Sequence, residues 1–339
     1  MSRYSSFTIS VFIIAVAVLA YWIFFPAIQL HNASKLEHIN EEYISSTANE
    51  TLPLINEDYD IDISVVIPVF NEEERLPGML KDTISFFKLW RTLQQKTFEI
   101  LVVDDGSIDG TCDLVKRYMN EFNPDQDFLR LLKLGKNYGK GGAVKRGVLN
   151  SRGKYILMVD GDGATNIADF EKLYESSLKL EEKKLDASNE LLMNLIKEGD
   201  KHYTPVVSVG SRAHLQGKSI ATREFHRTVL MFGFHVLVTL LCSNKISDTQ
   251  CGFKLFNRDA ARLIFPSMHI EGWAFDIELI NIAEKYKIPI SEVPVEWHEV
   301  PGSKLIKNKL DVVFTSLSMA RDMLCIRLCY LLGIWRTRL

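Results

Sequence analysis

Apolar side chains follow three rhythms along the chain. From Phe7 to Leu30, 24 residues, no charged side chain appears, and Val11 to Phe25 is almost wholly apolar, with Tyr21, Trp22 and Pro26 near the far end. At about 1.5 Å per residue such a helix covers the roughly 30 Å hydrocarbon core of a bilayer, and aromatic residues at one end suit its interface. A cleaved leader has an apolar stretch of roughly 7 to 15 residues that ends at small side chains. Here the bulky Trp22, Phe24 and Phe25 stand where cleavage would fall. The pattern predicts a retained transmembrane anchor at residues 7–30 behind a short tail, residues 1–6. Residues 31–60 are polar and acidic without a sustained period and read as a stalk.

From residue 61 the rhythm shortens. Ile63–Val69, Phe98–Asp104, Leu129–Leu134, Tyr155–Asp160 and Val206–Gly210 are β-rich runs closed by turn residues. They alternate with helical stretches at Glu73–Leu93, Thr111–Phe122 and Ala143–Ser151, which predicts βαβ units and a mostly parallel sheet flanked by helices, an α/β fold. In such a sheet ligands bind beyond the carboxyl ends of the strands. There the chain places Asn71-Glu72, Asp104-Asp105-Gly106-Ser107 and Asp160-Gly161-Asp162. Glu181–Lys184 reads as a solvated helix face, and Leu180–Tyr203 as an inserted helix and loop without chemistry. The third rhythm comprises two apolar stretches, 228–242 and 324–335, the first too short to span a bilayer and the second interrupted by Arg327. A catalytic domain over residues 61–305 and a C-terminal helical region over 306–339 follow from this division.

Composition narrows the function. With 40 basic and 43 acidic side chains, net charge −3, the chain is not a nucleic-acid binder that works by neutralising phosphates. At 47% hydrophobic residues and ten prolines it is not disordered. Five cysteines (Cys112, Cys242, Cys251, Cys325, Cys329), without C-x-x-C spacing, indicate neither a disulfide framework nor a zinc site and suit a reducing compartment.

Two phosphate-binding schemes fail. Gly135 to Gly139 is one residue short of a P-loop, and Gly141 follows Lys140 in place of Ser or Thr. The dinucleotide fingerprint meets Val144 where its third glycine should stand. Carboxylates at strand tips remain. Asp160 and Asp162 can turn toward one hard divalent cation able to bridge a diphosphate, although Asp-Gly-Asp is also an ordinary turn.

The order PVFNEE (68–73), VVDDGSIDGT (102–111), NYGKGGAVKRG (137–147) and VDGDGAT (159–165) resembles the inverting GT-A glycosyltransferases of family 2, over roughly residues 61–300. The later VGSR (209–212), DTQCGFKLF (248–256), GWAFDIEL (272–279) and EVPGSKL (299–305) resemble the branch that glycosylates polyprenyl phosphates. The Q-x-x-R-W motif of processive synthases is absent, and Gly163-Ala164-Thr165 stands where the mannose-transferring relatives have Leu-Gln after D-x-D. The resemblance implies transfer of glucose from UDP-glucose to dolichyl phosphate with inversion, giving a lipid-linked glucose for N-glycan precursor assembly at the endoplasmic reticulum membrane. An enzyme of the same kind using GDP-mannose and an inactive membrane scaffold are the alternatives.

The resemblance also assigns roles. Pro68, Phe70, Glu72 and Asp105 line a uridine pocket, with Asp104 or Asp105 accepting a hydrogen bond from uracil; read locally, Asn71, Ser107 and Asp109 are helix caps. Asp160 and Asp162, flanking Gly161, hold Mg²⁺ or Mn²⁺ on the diphosphate, and Lys140 approaches the donor. Arg212 and Lys304, followed by Arg223 and Arg227, are the cations for the acceptor phosphate. Asp276 and Glu278 orient those cations or sugar hydroxyls, because an ionised phosphate needs no general base. Trp273 and Phe275 pack on the hexose or belong to the core, and His226, His235 and His298 are structural. Residues 228–242 and 324–335 become core or interfacial helices that meet the lipid bilayer. Charge near the anchor does not orient it: Arg3 precedes it and Lys35 is the one Lys or Arg in the next 20 residues. The sequons at Asn32 and Asn49 would suit a lumenal domain, whereas the unpaired cysteines and a cytosolic nucleotide sugar favour a cytosolic catalytic domain with a short lumenal N-terminus.

Overall fold

In the computed structural model, which describes residues 2–33, 42–44, 54–123, 128–183, 204–215, 245–300 and 309–336, the β-rich runs pair into one mixed sheet. Its strands are β1 (Glu42–Ile44), β2 (Ile61–Val69), β3 (Phe98–Asp104), β4 (Leu129–Lys133), β5 (Gly153–Met158), β6 (Val207–Ser211), β7 (Lys254–Asn257) and β8 (Ile290–Pro294), in the order β1-β4-β3-β2-β5-β7-β6-β8. The block β4-β3-β2-β5 is parallel, β7 runs antiparallel between β5 and β6, and β6 pairs parallel with β8. The expected α/β class with a mostly parallel sheet is what the chain adopts. Lys304, Arg223, Arg227, His226, His235, Cys242, the 228–242 stretch and all but the start of the proposed insert lie outside the described residues.

The central strands are covered on both faces, which is why β3 is buried at every position and, apart from Glu99 and the terminal Asp104, reads as an apolar run. One face packs on α2 (Leu76–Gln94), α3 (Thr111–Phe122) and α5 (Phe170–Glu182); the other on α4 (Lys140–Leu149), α6 (Arg258–Ile264), α7 (Phe275–Lys285) and α8 (Lys309–Leu331). Helix α2 turns Leu76, Met79, Leu80, Thr83, Ile84, Phe87 and Trp90 inward, the spacing of a 3.6-residue period. Each large aliphatic or aromatic side chain so buried contributes about 1.5–3 kcal/mol.

Three features add to the sequence reading. Residues 42–44, within the segment read as a stalk, add an antiparallel strand to the free edge of β4, and nearby Ile55 is buried in the core. Helix α8 takes the core alternative for part of 324–335: Cys325, Ile326 and Cys329 are buried in the same cluster as α4 and α6. Helix α1 (Ser2–Ala33) packs Phe24 and Ala27 against that cluster and leaves Ile13, Ile14, Val18 and Leu19 exposed. Among the described residues no helix is long and apolar enough to cross a membrane; the side chains of α1 are described from residue 13 to residue 29.

Helix α4 approaches the sheet at Gly147, where a Cβ would meet Val66 Cγ1 at 2.5 Å and Val103 Cγ2 at 2.7 Å. Alanine would gain about 0.5–1 kcal/mol of helix propensity but overpack a filled core at about 1–3 kcal/mol. Gly147→Ala is therefore expected to lower the thermal unfolding midpoint, by about 2–8 °C. A midpoint equal to or above that of the parent would contradict the close approach.

Candidate active site

Three strand ends and one helix start converge on a cavity of about 670 Å³. Its lining includes Pro68, Phe70, Glu72, Asp105, Lys140, Asp160, Gly161 and Asp162, together with Arg75, Trp273, Trp297 and Glu299.

The loop after β2 is stitched to the loop after β3. Asn71, at φ 55°, accepts from Ile108 N at 2.9 Å, while its own N–H donates to Ser107 Oγ at 2.8 Å. Glu72 N donates to Thr111 Oγ1 at 2.9 Å, and Gly110 N to Glu73 Oε2 at 3.1 Å. Asn71 and Ser107 thus bridge two loops rather than cap helices, whereas Asp109 does accept from Thr111 N at the start of α3, at 3.0 Å.

The two adjacent aspartates point to different places. Asp104 accepts from Ser107 N at 3.2 Å and lies 3.1 Å from Cys112 Sγ, inside its own loop. Asp105 lines the cavity and accepts from Tyr138 N at 2.7 Å and Gly139 N at 2.8 Å. Burial pushes the Asp105 carboxyl up to about 7, outweighing the two amides that favour its ionised form. Gly139, at φ 88°, must be glycine, since a Cβ would stand 2.7 Å from Glu271 O.

Lys140 opens α4 with its Nζ 2.6 Å from Asp160 Oδ1 and 5.6 Å from the Trp273 ring centre. Burial works against its charge, but Asp160, Asp276 and Asp162 hold it above the ordinary lysine value. Asp160 Oδ1 is buried, and the Lys140 ammonium is the partner it faces. Asp162 accepts from Ala164 N at 3.0 Å and lies 3.6 Å from Arg75 Nη1. Arg75 also forks onto Glu72, with Nε 2.7 Å from Oε2. The Glu72 carboxylate is therefore committed to Arg75, and Arg75 is the charge it presents.

Arg212 forks onto Asp248 at 2.7 and 2.9 Å, its guanidinium 5.5 Å from the ring centre of Trp297, which lines the cavity. That pairing holds the Asp248 carboxyl below the usual range although burial alone would raise it. Phe275 is core, whereas Trp273 is 40% exposed and lines the cavity. Asp276 pairs with the fully buried Lys254 at 2.5 Å, and burial raises its pKa against that neighbour. Glu278 is a correction: it is fully buried and bound to His269, Ile270 and Tyr330, so it reaches neither a sugar nor a cation of the cavity. Arg75 and Trp297 were not anticipated. An arginine three residues after Glu72, at a helix start, carried the available signal for Arg75.

Between about pH 4 and 7 the folded chain keeps a proton on Asp105 that the unfolded chain has released, so this group's contribution to stability is lost as pH rises through 7. Asp105→Asn should make the decline of the thermal midpoint from pH 5 to pH 8 shallower. Equal slopes in the two proteins would show that Asp105 is ionised throughout.

The glycosyl transferase family 2 model matches residues 64–182, which carry Asp105, Lys140, Asp160 and Asp162. Over 97% of the chain it is 42% identical to a dolichyl-phosphate beta-glucosyltransferase of Dictyostelium discoideum, covering 94% of that protein. A protein of the same description from Homo sapiens is 42% identical over 92% of the chain and 87% of its own length. Among solved structures, glucosyl-3-phosphoglycerate synthase from Mycobacterium tuberculosis is 18% identical, with a TM-score of 0.46, over 79% of this chain and 80% of that one. Identity sustained over nearly the whole length, with the family model spanning the carboxylates of the cavity, means that the chain belongs to the dolichyl-phosphate β-glucosyltransferases of glycosyl transferase family 2.

Proposed function

We propose that the protein is a membrane-anchored enzyme that transfers glucose from UDP-glucose to dolichyl phosphate with inversion, releasing UDP and dolichyl β-glucosyl phosphate. One observation carries the reading: a single cavity has Asp105 among its lining residues and, at the strand end after β5, Asp160 and Asp162 faced by Lys140 and Arg75. The relatives' description supplies the sugar and the lipid.

Ionised Asp105 accepts a hydrogen bond from the uracil N–H, while Pro68 and Phe70 border the base. Asp160 and Asp162 offer carboxylate oxygens, donors of the chemistry that suits Mg²⁺ or Mn²⁺, with the buried Asp160 Oδ1 answered only by the Lys140 ammonium in the protein alone. Among the described residues no third carboxylate, histidine or cysteine joins them, so the other ligands would come from the diphosphate. Such an ion would neutralise charge on the leaving UDP. Lys140 and Arg75 supply fixed positive charge beside it, where charge develops as the C1–O bond to UDP breaks.

An oxygen of the ionised acceptor phosphate attacks C1 from the opposite face, forming the new C1–O bond as UDP departs, and no proton has to be removed. Arg212, fixed by Asp248, and Lys304 are the cations proposed to receive that phosphate, ahead of Arg223 and Arg227. Two observations support seating at a membrane: α1 exposes Ile13, Ile14, Val18 and Leu19, and α8 exposes Val313, Phe314 and Leu317. The free Cys112, Cys251, Cys325 and Cys329 suit a catalytic domain on the cytosolic face of the endoplasmic reticulum.

Purified protein offered a panel of radiolabelled nucleotide sugars with dolichyl phosphate should move glucose from UDP-glucose into the lipid fraction. Label entering from GDP-mannose instead would overturn the donor assignment. Asp162→Ala should reduce turnover by at least about 100-fold with the fold intact by circular dichroism. Near-normal turnover of that variant in added Mg²⁺ or Mn²⁺ would remove Asp162 from the donor site. Lys304→Ala should raise the KM for dolichyl phosphate while leaving UDP affinity, read by calorimetry, within about twofold. An equal loss of UDP affinity would move Lys304 to the donor side.

A further inference from the structure

We infer that Glu278 is a positioning residue, which ties helix α8 to the 268–273 segment and through it holds the Lys140 turn in its working geometry. What Lys140 does rests on the proposed donor site; the mechanical link does not.

Glu278 lies on α7 with no exposed surface. Its Oε2 accepts from His269 N at 2.9 Å and Ile270 N at 2.6 Å. Its Oε1 lies 3.0 Å from His269 Nδ1 and accepts from the Tyr330 hydroxyl of α8 at 3.0 Å. Among the described residues no lysine or arginine pairs with it. A buried carboxylate is costly unless its lone pairs are filled, and an apolar side chain would pack α7 at lower cost. What the four contacts have in common is the 269–270 turn and its connection to α8. The same turn is held a second time by the residues that follow α8, through the His269 ring stacked on Trp335 with centroids 4.5 Å apart and planes 3° from parallel.

On its other side the segment grips α4. Glu271 O accepts from Gly142 N at 3.0 Å, Glu271 Oε1 from Arg146 Nη1 at 3.1 Å, and Met268 O from Lys145 Nζ at 2.7 Å. Gly139 and Gly141 allow this approach: a Cβ on either would stand within 2.9 Å of Glu271 O. Trp273, at the end of the segment, lines the cavity beside Lys140. The segment is thus clamped between Glu278 and the helix whose first residue is Lys140. Loosening the Glu278 side lets the glycine turn relax and Lys140 drift from Asp160. A second cavity of about 570 Å³, bordered by α1, α8 and this segment, gives it room to move.

The test compares full-length Glu278→Gln and Tyr330→Phe with Ile282→Val, a buried change on the same helix whose side chain is apolar. Readouts are kcat and both KM values, the thermal midpoint, and hydrogen exchange at the Gly142 amide. Glu278→Gln should lower kcat about tenfold and Tyr330→Phe about threefold, each with KM changes under about threefold and faster exchange at Gly142. Ile282→Val should lower the midpoint while leaving kcat and Gly142 exchange unchanged. Losses of kcat that merely follow the midpoint across all three variants, or unaltered Gly142 exchange in Glu278→Gln, would reduce Glu278 to a packing role. Tyr330→Phe, which removes one hydroxyl, keeps the test open if Glu278→Gln does not fold. Should the parent protein transfer no glucose, the donor reading fails, and Gly142 exchange still decides the link.

Discussion

The structure is organised around negative charge gathered at one end of a parallel sheet. Glu72, Asp105, Asp160 and Asp162 end or follow three neighbouring strands and line one cavity. Like charges gathered around one cavity repel one another. Arg75 and Lys140 answer that charge from within the chain, Arg75 between Glu72 and Asp162, and Lys140 against Asp160. Burial leaves Asp105 on the edge of protonation near neutral pH. Such an arrangement costs stability and has the chemistry of a site for a cation and a diphosphate.

Placing Lys140 there makes demands far from the cavity. Its helix must come close to both the sheet and the 268–273 segment, and Gly139, Gly141 and Gly147 stand where a Cβ would collide with Glu271 O, Phe275 or Val66. The segment in turn depends on the buried carboxylate of Glu278 and on α8, whose Cys325, Ile326 and Cys329 share a core with α4. Helix α1 packs on that same core, so the elements with exposed apolar side chains are mechanically continuous with the catalytic turn. For an enzyme whose acceptor carries a long lipid, this continuity joins the exposed apolar faces and the Lys140 turn through one core.

How much of this the sequence reveals follows from burial. Strands β2 and β3 are legible because both faces are covered and most of their residues are apolar, Val65–Val69 and Ile100–Val103 above all. Strand β7 is not: it is four residues long, and its fully buried Lys254 reads as polar until Asp276 is seen beside it. Strand β1 owes its existence to the open edge of β4, not to its own three residues. Asp104 and Asp105 cannot be told apart by pattern, because successive residues at a strand end point to opposite sides, and Asp105 alone faces the cavity. Asp276 and Glu278 sit two apart on one helix and therefore face different neighbours, Lys254 in one case and the 269–270 turn in the other. Arg75 gains meaning only when the loop after β5 brings Asp162 within 3.6 Å.

The claim that the clustered carboxylates form a cation-dependent diphosphate site is tested most directly by calorimetry of UDP binding with and without Mn²⁺. UDP should bind at least about tenfold more tightly when the metal is present, the metal should gain the same factor from UDP, and both gains should vanish in Asp160→Asn. UDP affinity that is the same in excess chelator as in Mn²⁺, with the parent protein folded, would contradict the account.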